Sequence, residues 1–107
     1  MDPVEALLRD IREYVRRRGA VIDILRATGQ ERFKMSVRSF YYVHDESTGY
    51  DRFEDLLRDL ESSGEALERL GRIGIRLVRV GGERYLEVPS RMLISMLEEE
   101  RRASGRG

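Results

Sequence analysis

A chain of 107 residues with 20 basic side chains, 20 acidic ones and no cysteine has the length of one domain and no net charge, and it offers no disulfide, thiolate or Cys-rich zinc chemistry. Zero net charge argues against a strongly basic polyanion binder. No apolar run approaches the ~20 residues of a membrane span, and the MDPVEA start is acidic and helical rather than a signal peptide, so the expectation is a cytoplasmic protein with no membrane partner.

Lys34 is the lone lysine among many arginines, asparagine is absent and Gln30 is the single glutamine. High charge with few thermolabile amides is the signature of a protein that works hot, although a GC-rich genome would also favour arginine. The charge is unevenly spread. Residues 1–43 carry nine basic and six acidic side chains, 44–70 three and nine, and 71–107 eight and five, or +3, −6 and +3.

Asp2-Pro3-Val4-Glu5 predicts a helix start with Asp2 as N-cap, Pro3 in the first turn and Glu5 in capping-box position. Val4, Leu7, Leu8, Ile11, Tyr14 and Val15 form its buried stripe, and the phase runs on through Ile22 and Leu25. A continuous or kinked helix from Pro3 to Thr28 is expected. Arg16-Arg17-Arg18 suits either the negative end of a helix dipole or a phosphate cluster.

Phe33 to Val43 alternates as one strand. Phe33, Met35, Val37, Tyr41 and Val43 fall on a core face; Lys34, Ser36, Arg38, Phe40 and Tyr42 fall on an open face where cations and aromatics could hold phosphates and stack bases. His44 to Gly49 is a polar loop holding the lone histidine beside Asp45 and Glu46, with Thr48 as the expected cap of the next helix. Phe53, Leu56, Leu57 and Leu60 make that helix's stripe, continued in phase by Leu67 and Leu70. Tyr50 to Leu70 is therefore one helix, or two helices with a break at Ser62-Ser63-Gly64.

Ile73 to Val80 and Glu83 to Val88 alternate about Gly81-Gly82, the two-residue turn of a tight hairpin. Counting outward pairs Val80 with Glu83, Arg79 with Arg84, Val78 with Tyr85, Leu77 with Leu86, Arg76 with Glu87 and Ile75 with Val88. Ile73, Ile75, Leu77, Leu86 and Val88 become core. Arg79 opposite Arg84 is a like-charge pair, disfavoured unless an anion answers it. Gly71-Arg72-Ile73-Gly74 has the letters of a GxxG nucleotide clamp, but the residues after it alternate as a strand. Pro89 stops the hairpin and Ser90 is expected to cap a last helix, Arg91 to Arg102, with residues 103–107 a disordered tail. Met92, Leu93, Ile94 and Met96 spread over a wide apolar arc, either sunk deep or set against a second copy.

The fold class is α+β, in one domain over residues 1–102. With the break near Gly64, the order helix, strand, helix, helix, strand, turn, strand, helix is similar to the winged helix-turn-helix arrangement. The resemblance is topological and covers most of the chain. It implies DNA binding, with the second helix of the motif in the major groove and the hairpin as a wing on phosphates. Without the break, a three-stranded antiparallel sheet is packed against helices, with Lys34, Arg38, Phe40, Tyr42, Arg76 and Tyr85 on its open face.

The functional expectation is a non-enzymatic nucleic-acid-binding domain that uses Arg79 and Arg84, helped by Arg76, Arg38, Lys34 and Tyr42. The alternative is an interaction or assembly subunit, homodimeric through Met92, Leu93, Ile94 and Met96. An enzyme built on His44 with Asp45 or Glu46 is a third reading. The sequence holds no nucleophile elbow, P-loop, dinucleotide fingerprint or metal-ligand spacing, so no cofactor is expected.

Overall fold

Asp2 opens the first helix as its sequence requires. In a computed structural model describing residues 1–105, the Asp2 carboxylate accepts from the amides of Val4 (2.8 Å) and Glu5 (3.1 Å), and α1 runs Pro3–Arg17. Val4, Leu7, Ile11, Tyr14 and Val15 are buried, with Leu8 at the edge of the core. The helix does not continue unbroken. Arg18 leaves the helical region (φ −122°, ψ 42°), its N–H closing on the Tyr14 carbonyl, and α2 spans Gly19–Thr28. A Cβ at Gly19 would sit 3.3 Å from the Leu97 side chain, so this corner is packed tightly against the last helix.

β1 is Arg32–Ser36, half the expected strand. The Ser36 hydroxyl accepts from the Arg38 amide at 3.2 Å and turns the chain into a 3-10 segment, Val37–Phe40. The correction matters for function. Phe40, expected on an open face, is fully buried, stacked on Phe53 at 5.0 Å and 5.6 Å from Tyr14. Tyr41, expected in the core, is exposed, and Tyr42 is 86% exposed in the turn that follows.

Thr48 does not cap the next helix; it is buried, and its hydroxyl accepts from the Tyr50 amide. α3 (Phe53–Glu61) buries Phe53, Leu56, Leu57 and Leu60. The break falls where the serines stand: the Ser63 hydroxyl accepts from the Ala66 amide at 3.1 Å and starts α4, Gly64–Arg72. Ala66 and Leu70 are the buried residues of α4; Leu67 stays exposed.

β2 (Arg76–Val80) and β3 (Glu83–Pro89) pair in the expected register from Arg76 with Glu87 to Val80 with Glu83. Gly81 and Gly82 both take positive φ, 57° and 85°, which is what a twist-matched two-residue turn demands. β1 joins the far edge of β3, with Met35 opposite Leu86, giving an antiparallel sheet in the order β1-β3-β2. Ile75, Leu86 and Val88 are buried and Leu77 is partly so, but Ile73 is exposed at the end of α4 rather than in the core.

α5 runs Ser90–Ser104, so residues 103–104 are helical rather than tail, while 106–107 lie outside the described residues. It rests on α1, α2 and β3. That packing accounts for its wide apolar arc. Leu93 and Met96 are buried within this one chain, the deeply sunk of the two expected placements, while Met92 and Ile94 are half-buried at the edge of the core.

Two substitutions test the turn after β1. Phe40→Ala should cost about 3–5 kcal/mol in a denaturant titration, since it empties a buried aromatic stack. Tyr42→Ala should fall within about 0.5 kcal/mol of the parent.

Candidate nucleic-acid interface

Alternation along the hairpin decides which face each cation takes. Arg76, Val78 and Val80 share the outer face of the sheet with Glu83, Tyr85 and Glu87, and β1 adds Arg32, Lys34 and Ser36. Arg79 and Arg84 stand on the other face, in line with Leu77 and Leu86, but past the end of the core. The six expected site residues are thus divided. Lys34 and Arg76 lie on the outer sheet face, Arg38 at its rim, Arg79 and Arg84 on the helix side of the tip. Tyr42 joins neither group; its carbonyl lies 3.5 Å from the Arg17 guanidinium, in the turn beside α1.

The like-charge pair has an internal answer. Arg84 donates two hydrogen bonds to Glu54 of α3, and Glu61 of the same helix lies 3.8 Å away. The Glu54 carboxylate holds the Arg84 guanidinium above its ordinary value. Arg84 therefore joins the hairpin to α3 and is not free for an outside anion. Arg79 differs: among the described residues it is exposed and has no carboxylate partner.

The remaining cations are partly committed. Arg38 reaches Glu83 at 3.1 Å, an exposed pair of small worth. Arg76 bonds Glu87 at 2.9 Å across the strands, and burial, acting to raise Glu87, is outweighed by that bond, which comes first in holding the carboxyl low. Lys34 sits 5.7 Å from the centre of the Tyr85 ring, a cation–π contact on the open face.

His44 turns out to have a different partner from the carboxylates beside it in sequence. Its Nδ1 lies 2.6 Å from Asp10 Oδ2 and its Nε2 2.7 Å from the Tyr50 carbonyl, while the Asp45 amide donates to Asp10 Oδ1. A carbonyl only accepts, so Nε2 carries a proton, and Nδ1 is occupied by the carboxyl group. The ring keeps no open nitrogen for general-base work. The arrangement staples α1 to the loop ahead of α3. Asp10 is the residue that sequence reasoning missed, although a signal existed: it falls between Leu7, Ile11 and Tyr14 on the buried stripe, where a solvated carboxylate does not belong. No group of three His, Asp or Glu side chains among the described residues is arranged to hold a metal, and no described helix is long and apolar enough to cross a membrane.

Compared with known proteins, the chain matches no family model, no curated sequence and no solved structure.

The staple predicts a pH dependence. Burial acts to lower the His44 pKa, but hydrogen bonds to Asp10 and Tyr50 favour the charged ring and leave it raised; Asp10 is raised by its burial. Groups raised in the fold stabilise it below their unfolded values and lose that contribution as pH climbs through the folded ones. With one histidine and no cysteine, His44 is the side chain whose ordinary value lies in the neutral range. The melting temperature should therefore fall as pH climbs from the ordinary histidine value of 6.5 through the raised value in the fold. Asp10→Asn should flatten that slope and, by breaking a buried pair, cost about 3 kcal/mol. A slope unchanged by the substitution would assign it elsewhere.

Proposed function

We propose that this domain binds nucleic acid, in the first instance duplex DNA, as a winged helix-turn-helix whose β2–β3 hairpin rests on phosphates. The observation that carries the reading is a coincidence of topology and charge. Two short helices, α3 and α4, lie between β1 and the β2–β3 hairpin of a sheet of order β1-β3-β2, and the hairpin that would be the wing ends in an arginine without a carboxylate partner among the described residues. Arg79 is the primary phosphate contact. Arg38 supports it, since an exposed bond to Glu83 exchanges for a phosphate oxygen at small cost, and Lys34 extends the basic surface along the sheet. Arg84 positions the hairpin and does not touch the ligand.

The mode is backbone contact, not base reading by α4. Glu65 and Glu68 are exposed there, and Arg72 is held by Glu68 at 3.3 Å. Carboxylates on a helix entering the major groove would face the phosphate walls, and Arg69, the other arginine of α4, is drawn to Asp2 at 3.4 Å. Few contacts and zero net charge imply modest affinity with a shallow salt slope.

A second reading, docking on another protein, is favoured by Leu67 on α4 and Ile73 at its end, both exposed next to that acidic surface.

Fluorescence anisotropy with a labelled duplex at low salt separates the two. The parent protein should bind, with log K falling against log salt at a slope of about −2 to −3 for two or three phosphate contacts. Arg79→Glu should weaken binding about tenfold, near 1.4 kcal/mol, without lowering the melting temperature. Absence of binding at low salt would discard the nucleic-acid reading in favour of the protein partner.

A further inference from the structure

A sheet of three strands has two outer edges, and each edge strand turns part of its backbone N–H and C=O groups away from its neighbour. The hairpin register identifies those groups on β2. In a two-residue turn the closing pair exchanges both backbone hydrogen bonds, so Val80, Val78 and Arg76 direct their N–H and C=O at β3. Leu77 and Arg79 direct theirs outward. Ile75 has the same parity, and its outward N–H is taken by the Leu70 carbonyl at 2.9 Å. Among the described residues no backbone group outside the hairpin bonds the N–H or C=O of Leu77 or Arg79.

The opposite edge is guarded. Glu83, Tyr85 and Glu87 of β3 serve β2, so Leu86 and Val88 bond Met35 and Phe33, and the outward residues of β1 are Arg32, Lys34 and Ser36. The Arg32 carbonyl already accepts from the Gln30 side chain at 2.9 Å, Lys34 is the lone lysine, and the strand ends at Ser36. Short length, a lysine and an occupied carbonyl are devices that keep an edge from pairing. β2 has neither a proline nor a break in its register with β3. Its Arg76 is bonded to Glu87 across the hairpin, and its Val80 is 53% exposed.

We infer that a second copy of this chain pairs with that edge, β2 antiparallel to β2 about a two-fold axis at Val78. Outward groups have to meet outward groups, and the side chains decide the register. A centre at Leu77 requires the Ile75 N–H that Leu70 already holds. A centre at Arg79 sets two guanidiniums directly opposite each other. A centre at Val78 overlaps the whole of Arg76–Val80 and pairs Leu77 of each copy with Arg79 of the other, making two backbone hydrogen bonds in each pair. On the outer face the two Val78 side chains then meet, and their hairpin partners extend the row to Tyr85–Val78–Val78–Tyr85. In the flanking rows Arg76 of one copy covers Val80 of the other and stands between Glu87 of its own hairpin and Glu83 across the interface. The two Arg79 side chains become diagonal neighbours, about 7–8 Å apart, a smaller cost than direct opposition. Zero net charge adds no long-range repulsion between copies.

Sedimentation equilibrium of the full chain, with no nucleic acid present, tests this independently of the wing. The parent should pass from monomer to dimer mass as concentration rises. Val78→Lys and Val78→Glu each oppose like charges on the axis, and each should weaken association about tenfold or more. Mixed in equal amounts, the two variants should recover a dimer, because lysine then faces glutamate. Amide exchange in the parent gives a reading that needs no substitution. Exchange at Leu77 and Arg79 should slow with rising concentration relative to Val78, whose N–H is already bonded within the hairpin. A parent that stays monomeric, growth past the dimer, or an association indifferent to Val78→Lys would overturn the pairing. So would a lysine–glutamate mixture that stays monomeric, or exchange at Leu77 and Arg79 that does not change with concentration.

Discussion

The register of β3 governs the molecule. It is the middle strand, so its two edges must satisfy β1 and β2 together, and a shift by one residue would send Leu86 and Val88 from the core to the outer face. The glycine pair pins one edge, both residues taking the positive φ that a two-residue turn between twisted strands needs. The other edge is fixed by Met35 against Leu86 and Phe33 against Val88. Once the register stands, Arg84 has to emerge on the helix side, where Glu54 waits, and Tyr85 has to emerge on the open side beside Lys34.

Charge in this protein is mostly settled internally. Arg12 bonds Glu99, Arg26 bonds Glu98 and Arg101 bonds Asp23, tying α5 to the first two helices, while Arg16 and Arg17 share Glu13. Exposed pairs of this kind contribute little one by one. Their larger effect is to remove guanidiniums from availability. Among the described residues Arg9, Arg18, Lys34, Arg79, Arg91 and Arg102 have no carboxylate partner, and their positions say more than the number of cations in the sequence. Arg79 and Arg91 stand at opposite ends of β3, one past the tip of a ribbon and one at the head of a helix.

Local chemistry was legible wherever it was self-contained. The Asp2 cap, the stripe of α3 and the hairpin register from Arg76 with Glu87 to Val80 with Glu83 follow from spacing and turn residues, and all are present. The failures share a cause. Ser36 competes with the sheet by bonding its own downstream amide, so an alternating run continued in letters after it had ended in space. The interleaved aromatic and basic face read from Phe33 to Val43 disappears with it. The partners of Asp10 and Glu54 were out of reach for another reason: they lie 34 and 30 residues away, and nothing short-range connects them.

The ion pairs of α5 with α1 and α2 span 72 to 87 positions of chain, and Gly19 meets Leu97 across a similar interval. Contacts so remote are made late, since the loop must close before they contribute. During synthesis the surfaces of α1 and α2 that α5 covers therefore stay open until α5 itself has left the ribosome. That interval is when this small domain is most open to aggregation or to capture by a chaperone.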